Sequence, residues 1–154
     1  MEEILKEKYP NPSRYQRNNL IKKIFNKYPF LKKKYFLDIC GAGQVLVFMD
    51  EFGMSGEGID LSEDACSIAR GRVSENIKVN RGNFMEIENK RYEIVLMLDV
   101  LEHIKEDDLF IKKTYDLLND GEYYLINVPA KMEIFAKADV AVGHYRRYEK
   151  YDLR

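Results

Sequence analysis

The stretch that decides the fold is Tyr35-Phe36-Leu37-Asp38-Ile39-Cys40, followed at once by Gly41-Ala42-Gly43-Gln44. A short, mostly apolar run that follows three lysines and precedes two glycines is typical of a strand buried on both faces of a parallel sheet. Glycines at the end of such a strand let backbone N–H groups approach a ligand closely. We therefore predict a first strand at residues 35–40 and a ligand-binding loop directly after it.

The rest of the chain alternates between helical and strand-like segments. Ser62 is a favourable N-cap residue, and acidic residues follow it in the first turn of the next helix. Alternating units of this kind predict an α/β fold with a doubly wound, parallel sheet and right-handed crossovers. The predicted helices are 18–30, 45–52, 63–69 and 109–118, and the predicted strands are 35–40, 56–59, 77–79, 92–98 and 122–128. A turn at 119–121 separates the last helix from the last strand.

Size and composition indicate an ordinary globular protein. The chain has 154 residues, of which 45% are hydrophobic and 33% charged, which fits one domain and argues against disorder. Its 25 basic and 26 acidic residues produce no overall field that would attract nucleic acid or an anionic membrane. The sequence contains no signal-peptide pattern and no run of about 20 apolar residues, so we expect a cytoplasmic protein without a transmembrane segment.

The two cysteines, Cys40 and Cys66, form no CxxC motif and have no histidine beside them. This spacing argues against a disulfide framework and against a zinc site. We expect no metal in this chain and interpret both cysteines as small core residues.

Two carboxylates follow the predicted strands at informative places. Asp38 precedes the glycines, where it would repel a pyrophosphate but suit a cationic ligand. Asp60 ends the second strand, where a carboxylate can accept both hydroxyls of a ribose. The alternative for Asp60 is that it only joins Ser62 at the start of the next helix. Together the two acids describe a ligand with a ribose and positive charge, and S-adenosylmethionine is such a ligand.

Five segments together resemble the class I S-adenosylmethionine-dependent methyltransferases. Residues 36–43 resemble the first motif of that family, and 58–62, 81–84, 92–104 and 117–129 resemble the later ones in order. The resemblance implies a Rossmann-like, mostly parallel sheet with strand order 3-2-1-4-5. It also implies one domain over 1–154, with an N-terminal helical region at 1–34, a cofactor-binding core at 35–130 and an acceptor-side segment at 131–154. We expect the family's C-terminal antiparallel hairpin to be missing.

The resemblance also assigns cofactor contacts. Gly41 and Gly43 would line the methionine part, Asp60 would bind the ribose, and Asn83 with its neighbour would flank the adenine, while Asp99 would lie near the methionine end. Two departures stand out: this loop has two glycines where the family usually has three, and Asn83 replaces a common Asp, although an amide oxygen can still accept a hydrogen bond. The implied cofactor-binding residues are Asp38, Gly41, Ala42, Gly43, Asp60, Leu61, Asn83, Phe84 and Asp99.

The C-terminal segment resembles a subgroup of small methyltransferases that is similar to those of quinone biosynthesis. The residues that carry this resemblance are 128–130, Asp139 and 143–148. The subgroup suggests a small-molecule, glycan or lipid-linked acceptor and no nucleic-acid partner. We therefore expect the methyl group to move to an oxygen or nitrogen atom of an unidentified acceptor.

Acceptor contacts are assigned to Tyr145, Arg146 and Arg147, because guanidinium groups match planar phosphates and carboxylates. The alternative is that the two arginines form surface salt bridges with Glu149 and Asp152.

His103 and His144 are the only histidines and hence the candidate catalytic bases near neutral pH. A base is needed only if the acceptor must lose a proton. For His103 the alternative role is to orient the loop after the fourth strand.

Two other functions fit parts of the pattern. A non-catalytic, methyltransferase-like binding or scaffold module would tolerate the short glycine loop, whereas an NAD-dependent oxidoreductase would leave Asp38 and residues 99–104 without a role. Since the sequence stops at Arg154, we also expect the edge of strand five to be covered by further residues or by a homo-oligomer.

Overall fold

The computed structural model describes residues 12–39 and 43–153, with side chains from residue 16 onward. The chain divides into two compact units, Met1–Lys33 and Lys34–Arg154. In the first unit, helix α1 spans Pro12–Lys27 and a 3₁₀ helix spans Pro29–Lys33. Proline suits the first turn of a helix, and Pro29 disfavours helical backbone in the residue before it. The helix therefore begins before the predicted residue 18 and ends before residue 30.

The second unit is built on one five-stranded sheet. All its strand pairs are parallel, and their order is β3-β2-β1-β4-β5, which confirms the predicted doubly wound topology. All four residues of the central strand β1 are buried, as the apolar run predicts. The strands are β1 Phe36–Ile39, β2 Gly56–Asp60, β3 Ile77–Arg81, β4 Tyr92–Leu98 and β5 Leu118–Asn127.

Helices and short 3₁₀ turns connect the strands. Ser62 caps its helix as predicted, because its hydroxyl oxygen accepts the Ala65 N–H at 3.2 Å. Among the described residues no helix is both long and apolar enough to cross a membrane. The helices are α2 Gln44–Glu51, α3 Glu63–Arg70, α4 Asp107–Leu117 and α5 Lys137–Ala141, and the 3₁₀ turns are Phe84–Glu86, Leu101–His103 and Met132–Ile134.

The start of β5 differs from the prediction. Leu118 was expected in the helix, but it already pairs with Tyr92, and after a register shift Tyr123 pairs with Ile94. The predicted turn at 119–121 is therefore a bulge inside the strand, where Gly121 supplies the positive φ of 75°. A glycine after a helix indicates a turn in sequence, but only the neighbouring strand determines whether that turn ends the pairing.

Glycines set the distance between β1 and β2. A Cβ at Gly56 would lie 2.5 Å from both the carbonyl oxygen and Cδ1 of Phe36. A Cβ at Gly58 would lie 2.6 Å from Cδ1 of Leu46 on α2. Because glycine has no Cβ, these two positions allow β1, β2 and the helix that covers them to pack closely.

We predict that Gly56→Ala lowers the free energy of unfolding by about 2 kcal/mol, because the backbone oxygen of Phe36 cannot move aside as a side chain can. Gly71→Ala is the matched control: its φ of −73° suits alanine, and the nearest atom to an added Cβ is 3.7 Å away. We expect the control to stay within about 0.5 kcal/mol of the wild type. Urea denaturation of the three proteins measures both effects, and equal midpoints for the two variants would contradict the packing argument.

Candidate functional site

The carboxyl ends of the parallel strands meet at one edge of the sheet, which is where ligands bind in open α/β folds. Gly43 lies there at the start of α2, with a left-handed backbone at φ 84°. A Cβ on this residue would also come within 3.1 Å of Ala69 on α3. Glycine at this position thus serves both the turn and the contact with α3. Two predicted cofactor residues of the same loop, Gly41 and Ala42, lie outside the described residues, as does Cys40.

Asp38 lies in the middle of the buried strand β1, and only 1% of it is exposed. It pairs in register with Gly58 of β2 and with Leu96 of β4. An ionised carboxylate in a setting of such low polarity would interact strongly with a cation that approaches it. Asp38 therefore places a buried carboxyl group on the strand that leads toward Gly43, and its contact with a cationic ligand stays a prediction.

Asp60 is the last residue of β2. Its Oδ1 accepts the Ser62 N–H at 2.8 Å, so the contact expected from the alternative interpretation is present. That contact engages one carboxylate oxygen and fixes the direction of the side chain. Leu61, the next residue, is exposed.

Asn83 and Phe84 follow β3. The Asn83 Oδ1 accepts the Met85 N–H at 3.0 Å, and its Nδ2 donates to Glu86 Oε1 at 3.2 Å. The Phe84 ring is buried and packs against Phe110, with 5.5 Å between ring centroids. Asn83 thus lies at the edge as predicted, whereas the ring of Phe84 belongs to the core.

Asp99 is the first residue after β4 and has a positive φ of 58°, a conformation that few non-glycine residues adopt. Asn127, at the end of β5, holds it twice. The Asn127 carbonyl accepts the Asp99 N–H at 2.9 Å, and the Asn127 Nδ2 donates to Asp99 Oδ1. Sequence reasoning missed Asn127, although a polar residue that ends an apolar strand is a detectable signal.

The two histidines lie together although they are far apart in sequence. Their rings meet edge to face, with centroids 4.8 Å apart. The Nδ1 atom of His103 is 3.2 Å from the Gly143 carbonyl oxygen. His144 has its Nδ1 atom 3.0 Å from Asp139 Oδ1 and its Nε2 atom 4.0 Å from Glu102 Oε1. The structure therefore joins the loop after β4 to the segment after α5 through both predicted bases.

Asp139 lies on α5, and it is 2% exposed. Its Oδ2 accepts the Ala136 N–H at 2.9 Å, and its Oδ1 accepts from Arg147 Nε at 2.8 Å and lies 3.0 Å from His144 Nδ1. Burial alone would raise the pKa of Asp139, but these hydrogen bonds outweigh burial and lower it to about 2. Sequence analysis used Asp139 only to recognise a subgroup and did not assign it to the site.

The two arginines form salt bridges, as the alternative interpretation expects, but the predicted partners Glu149 and Asp152 are wrong. Arg146 Nη1 lies 2.5 Å from Asp107 Oδ1 on α4. Arg147 pairs with Asp139. Glu149 and Asp152 instead accept backbone N–H groups, those of Met132 and Glu149 respectively. Partners on distant elements replaced the near ones because the segment folds back onto the sheet edge.

Further contacts fix the same segment. The Tyr148 hydroxyl donates to Asp107 Oδ2 at 2.9 Å, and the Tyr145 N–H donates to the Glu102 carbonyl at 2.7 Å. The Tyr145 side chain is 56% exposed, which leaves its ring accessible to an acceptor. Contact of Tyr145 and the two arginines with an acceptor stays a prediction.

Glu102, His103 and His144 form the one group of acidic, histidine or cysteine side chains, within the described parts of the chain, that is compact enough to offer a metal ion three ligand atoms. These atoms lie within 4.8 Å of one another. A carboxylate and two imidazoles are common partners of divalent ions. The sequence predicts no metal here, and the same geometry also suits proton transfer.

Comparisons with known proteins agree with this geometry. Ubiquinone biosynthesis O-methyltransferase of Pelagibacter ubique (strain HTCC1062) is 31% identical over 134 residues, which are 80% of this chain and 55% of the relative. The enzyme of the same name from Rickettsia canadensis (strain McKiel) is 30% identical over 140 residues, 88% of this chain and 58% of the relative. The chain thus spans little more than half the length of these curated relatives.

Solved structures share the fold. The N-methyltransferase NodS from Bradyrhizobium japonicum WM9, solved with S-adenosyl-L-homocysteine, superposes with a TM-score of 0.71 at 15% identity and covers 90% of this chain and 71% of NodS. The [4+2]-cyclase SpnF superposes with a TM-score of 0.65 at 19% identity, over 79% of this chain and 47% of SpnF. A family profile described as "Methyltransferase domain" matches residues 13–151. The chain therefore belongs to the methyltransferase domain family.

Proposed function

We propose that this chain binds S-adenosylmethionine at the carboxyl edge of β1 to β4 and transfers its methyl group to a hydroxyl oxygen of a small acceptor. The observation that carries the proposal is left-handed Gly43 at the start of α2 together with Asp60 at the end of β2, the strand that pairs with β1. The described residues fit this ligand, because glycine leaves the backbone open to a close approach and Asp60 offers a carboxylate to a ribose.

Each part of the ligand has a partner along the edge. In this proposal Gly43 lines the methionine part. Asp60 accepts hydrogen bonds from the ribose hydroxyls, and the Asn83 side-chain oxygen accepts one from the adenine amine. Asp99 lies near the amino-acid end, where its charge attracts an ammonium group. Gly41 and Ala42, which lie outside the described residues, would make the contacts that the family resemblance implies.

Acidic side chains favour a cationic ligand over a dinucleotide. Asp38 lies within β1, and Asp99 directly follows β4; these are two neighbouring strands at the centre of the sheet. A sulfonium and an ammonium group are attracted by these carboxylates, whereas a pyrophosphate is repelled. This electrostatic argument disfavours an NAD-dependent reaction at the same edge.

The choice of oxygen as the acceptor atom is supported by the curated relatives, which are O-methyltransferases of ubiquinone biosynthesis. The ring of a quinone becomes an aromatic phenol in its reduced form, so we take the acceptor hydroxyl to be phenolic. A phenol has a pKa of about 10 and is mostly protonated at neutral pH. A base that removes the proton therefore assists the reaction.

The chain's own residues align the reactants and accept the proton. S-adenosylmethionine, when bound, supplies an electrophilic methyl group in an in-line displacement whose leaving group needs no protonation. His144, with His103 beside it, is the base in this proposal. Tyr145, Arg146 and Arg147 border the acceptor side and orient it toward the cofactor edge.

We predict that Asp60→Ala weakens S-adenosylmethionine binding by about 10-fold to 100-fold, because hydrogen bonds to a charged group contribute about 1.5–3 kcal/mol each. Ser62→Ala is the matched control, since it removes the helix cap but keeps the Asp60 carboxylate. Isothermal titration calorimetry of the three proteins measures the affinities. Equal affinity in Asp60→Ala and wild type would refute the ribose assignment.

We predict that Asn127→Ala weakens S-adenosylmethionine binding by about 10-fold, because it removes the Nδ2 donor that holds the Asp99 carboxylate in place. Asn119→Ala makes the same chemical change at an exposed position of β5. Calorimetry should show wild-type affinity for that control. Similar losses in both variants would mean that the loss of an asparagine from β5, and not the position of Asp99, is responsible.

We predict that radiolabelled methyl groups move from S-adenosylmethionine to 3,4-dihydroxybenzoate faster than to 4-aminobenzoate, because the site offers a base for a phenolic proton. Scintillation counting of the separated products measures both rates. Preferential labelling of the amine would contradict the oxygen assignment. Cofactor binding without transfer to either compound would favour a non-catalytic binding module.

A further inference from the structure

Helix α5 and the segment after it contain a buried acid, Asp139, and a histidine, His144, whose pairing has no role yet in the proposed methyl transfer. We propose that Asp139 is a positioning residue that fixes the His144 ring with its proton on Nδ1, so that Nε2 accepts the proton of the acceptor hydroxyl. This inference rests on the proposed O-methyl transfer.

The chemistry of the Asp139 carboxylate determines the tautomer of His144. An ionised carboxylate can only accept hydrogen bonds, and the distance from Oδ1 to His144 Nδ1 is 3.0 Å. The lowered pKa of Asp139, about 2, keeps the carboxylate ionised at neutral pH. The Nδ1 atom must therefore carry the proton, and in the neutral ring the lone pair lies on Nε2.

Asp139 is itself held in place from two directions. The backbone N–H of Ala136 binds Oδ2, and the Arg147 guanidinium binds Oδ1. Arg147 also donates to the Ala130 carbonyl at 3.3 Å, so the ion-pair partner of Asp139 is itself bound to the segment that follows β5. A buried carboxylate with three donors has little freedom to rotate, so it can orient the imidazole before any ligand binds.

The other face of His144 is fixed by the loop after β4. Tyr145 donates its N–H to the Glu102 carbonyl, and His103 Nδ1 contacts the Gly143 carbonyl, so both neighbours of His144 are anchored. The Nε2 atom lies 4.0 Å from Glu102 Oε1, beyond hydrogen-bond length. At that distance an ionised Glu102 would stabilise an imidazolium.

The proposed step balances in atoms and charge. The acceptor oxygen forms a bond to the methyl carbon as the carbon–sulfur bond breaks, and the electron pair of that bond stays on sulfur. The hydroxyl proton moves to Nε2 of His144. One positive charge is lost at sulfur and one appears on the imidazolium, where the Asp139 carboxylate offsets it. The proton leaves to water after the products depart.

The competing explanation is that Asp139 serves only as a cap for α5 and as the ion-pair partner of Arg147. NMR of the full chain with ¹⁵N-labelled histidine separates the two explanations without an acceptor. The chain has two histidines, so His103→Gln assigns the signals. For neutral His144 we expect the Nδ1–H tautomer in the wild type. An Nε2–H tautomer in the wild-type spectrum is sufficient to overturn the proposal.

Two variants sharpen the NMR test. Asp139→Ala removes the acceptor and should shift His144 toward the Nε2–H tautomer. Arg147→Gln removes the ion pair but leaves the carboxylate beside His144, so it should retain the Nδ1–H tautomer. A tautomer shift in Arg147→Gln that equals the shift in Asp139→Ala would assign the effect to the ion pair and overturn the proposal.

Kinetics with S-adenosylmethionine and 3,4-dihydroxybenzoate provide the second arm. Asp139→Ala should lower kcat by about 100-fold with an unchanged KM for S-adenosylmethionine, which is the scale of a general-base contribution. In the His144→Gln background the same substitution should have almost no effect, since the two residues act as a unit. If the losses in kcat from Asp139→Ala and His144→Gln are additive, the proposal is overturned. It is also overturned if a chelator abolishes methyl transfer and a divalent ion restores it, because Nε2 of His144 would then bind the metal ion. A wild type that binds S-adenosylmethionine but methylates no phenol refutes the proposed function, while the NMR arm still decides the role of Asp139.

Discussion

The site depends on the parallel pairing of β1 with β2 on one side and β4 on the other. This pairing is close enough that Gly56 touches the Phe36 backbone, and it aligns the ends of three strands in register. Asp60 and Asp99 then lie at the ends of the two strands that flank β1. If β2 and β4 ran antiparallel to β1, these two residues would lie at the edge opposite to the end of β1, so the parallel topology is what gathers all three strand ends at one edge.

Interactions that are local in sequence could be predicted. The apolar run of β1, the Ser62 cap and the strand-end position of Asp60 each depend on neighbouring residues or on strand periodicity. The exact match of β4 to residues 92–98 has the same origin. The start of β5 could not be predicted, because pairing with Tyr92 overrode the local turn signal at Gly121.

Interactions between distant segments were beyond the sequence patterns. Asn127 reaches Asp99, and Arg146 reaches Asp107, only because the sheet and the returning C-terminal segment bring them together. The two histidines were recognised as candidate bases by residue type, but their contact and their carboxylate partners appear only in the folded chain. A charged residue indicates that a partner exists, not which one.

In the proposed function, charge at the carboxyl edge favours a cationic cofactor over a dinucleotide. The fold alone does not decide the reaction, since a [4+2]-cyclase shares the architecture with the N-methyltransferase NodS. Carboxylates at Asp38, Asp60 and Asp99 would attract a sulfonium ligand and repel the pyrophosphate of a dinucleotide. Asp139, buried beside His144, is the acid that the proposal assigns to the acceptor side.

The central claim is that this edge is a site for S-adenosylmethionine. Parallel calorimetric titrations of the wild-type chain with S-adenosylmethionine and with NADH test it most directly. We predict one saturable site for S-adenosylmethionine, weakened by rising salt because the attraction is electrostatic, and no heat of binding for NADH. Binding of NADH alone, or of neither compound, would contradict the account.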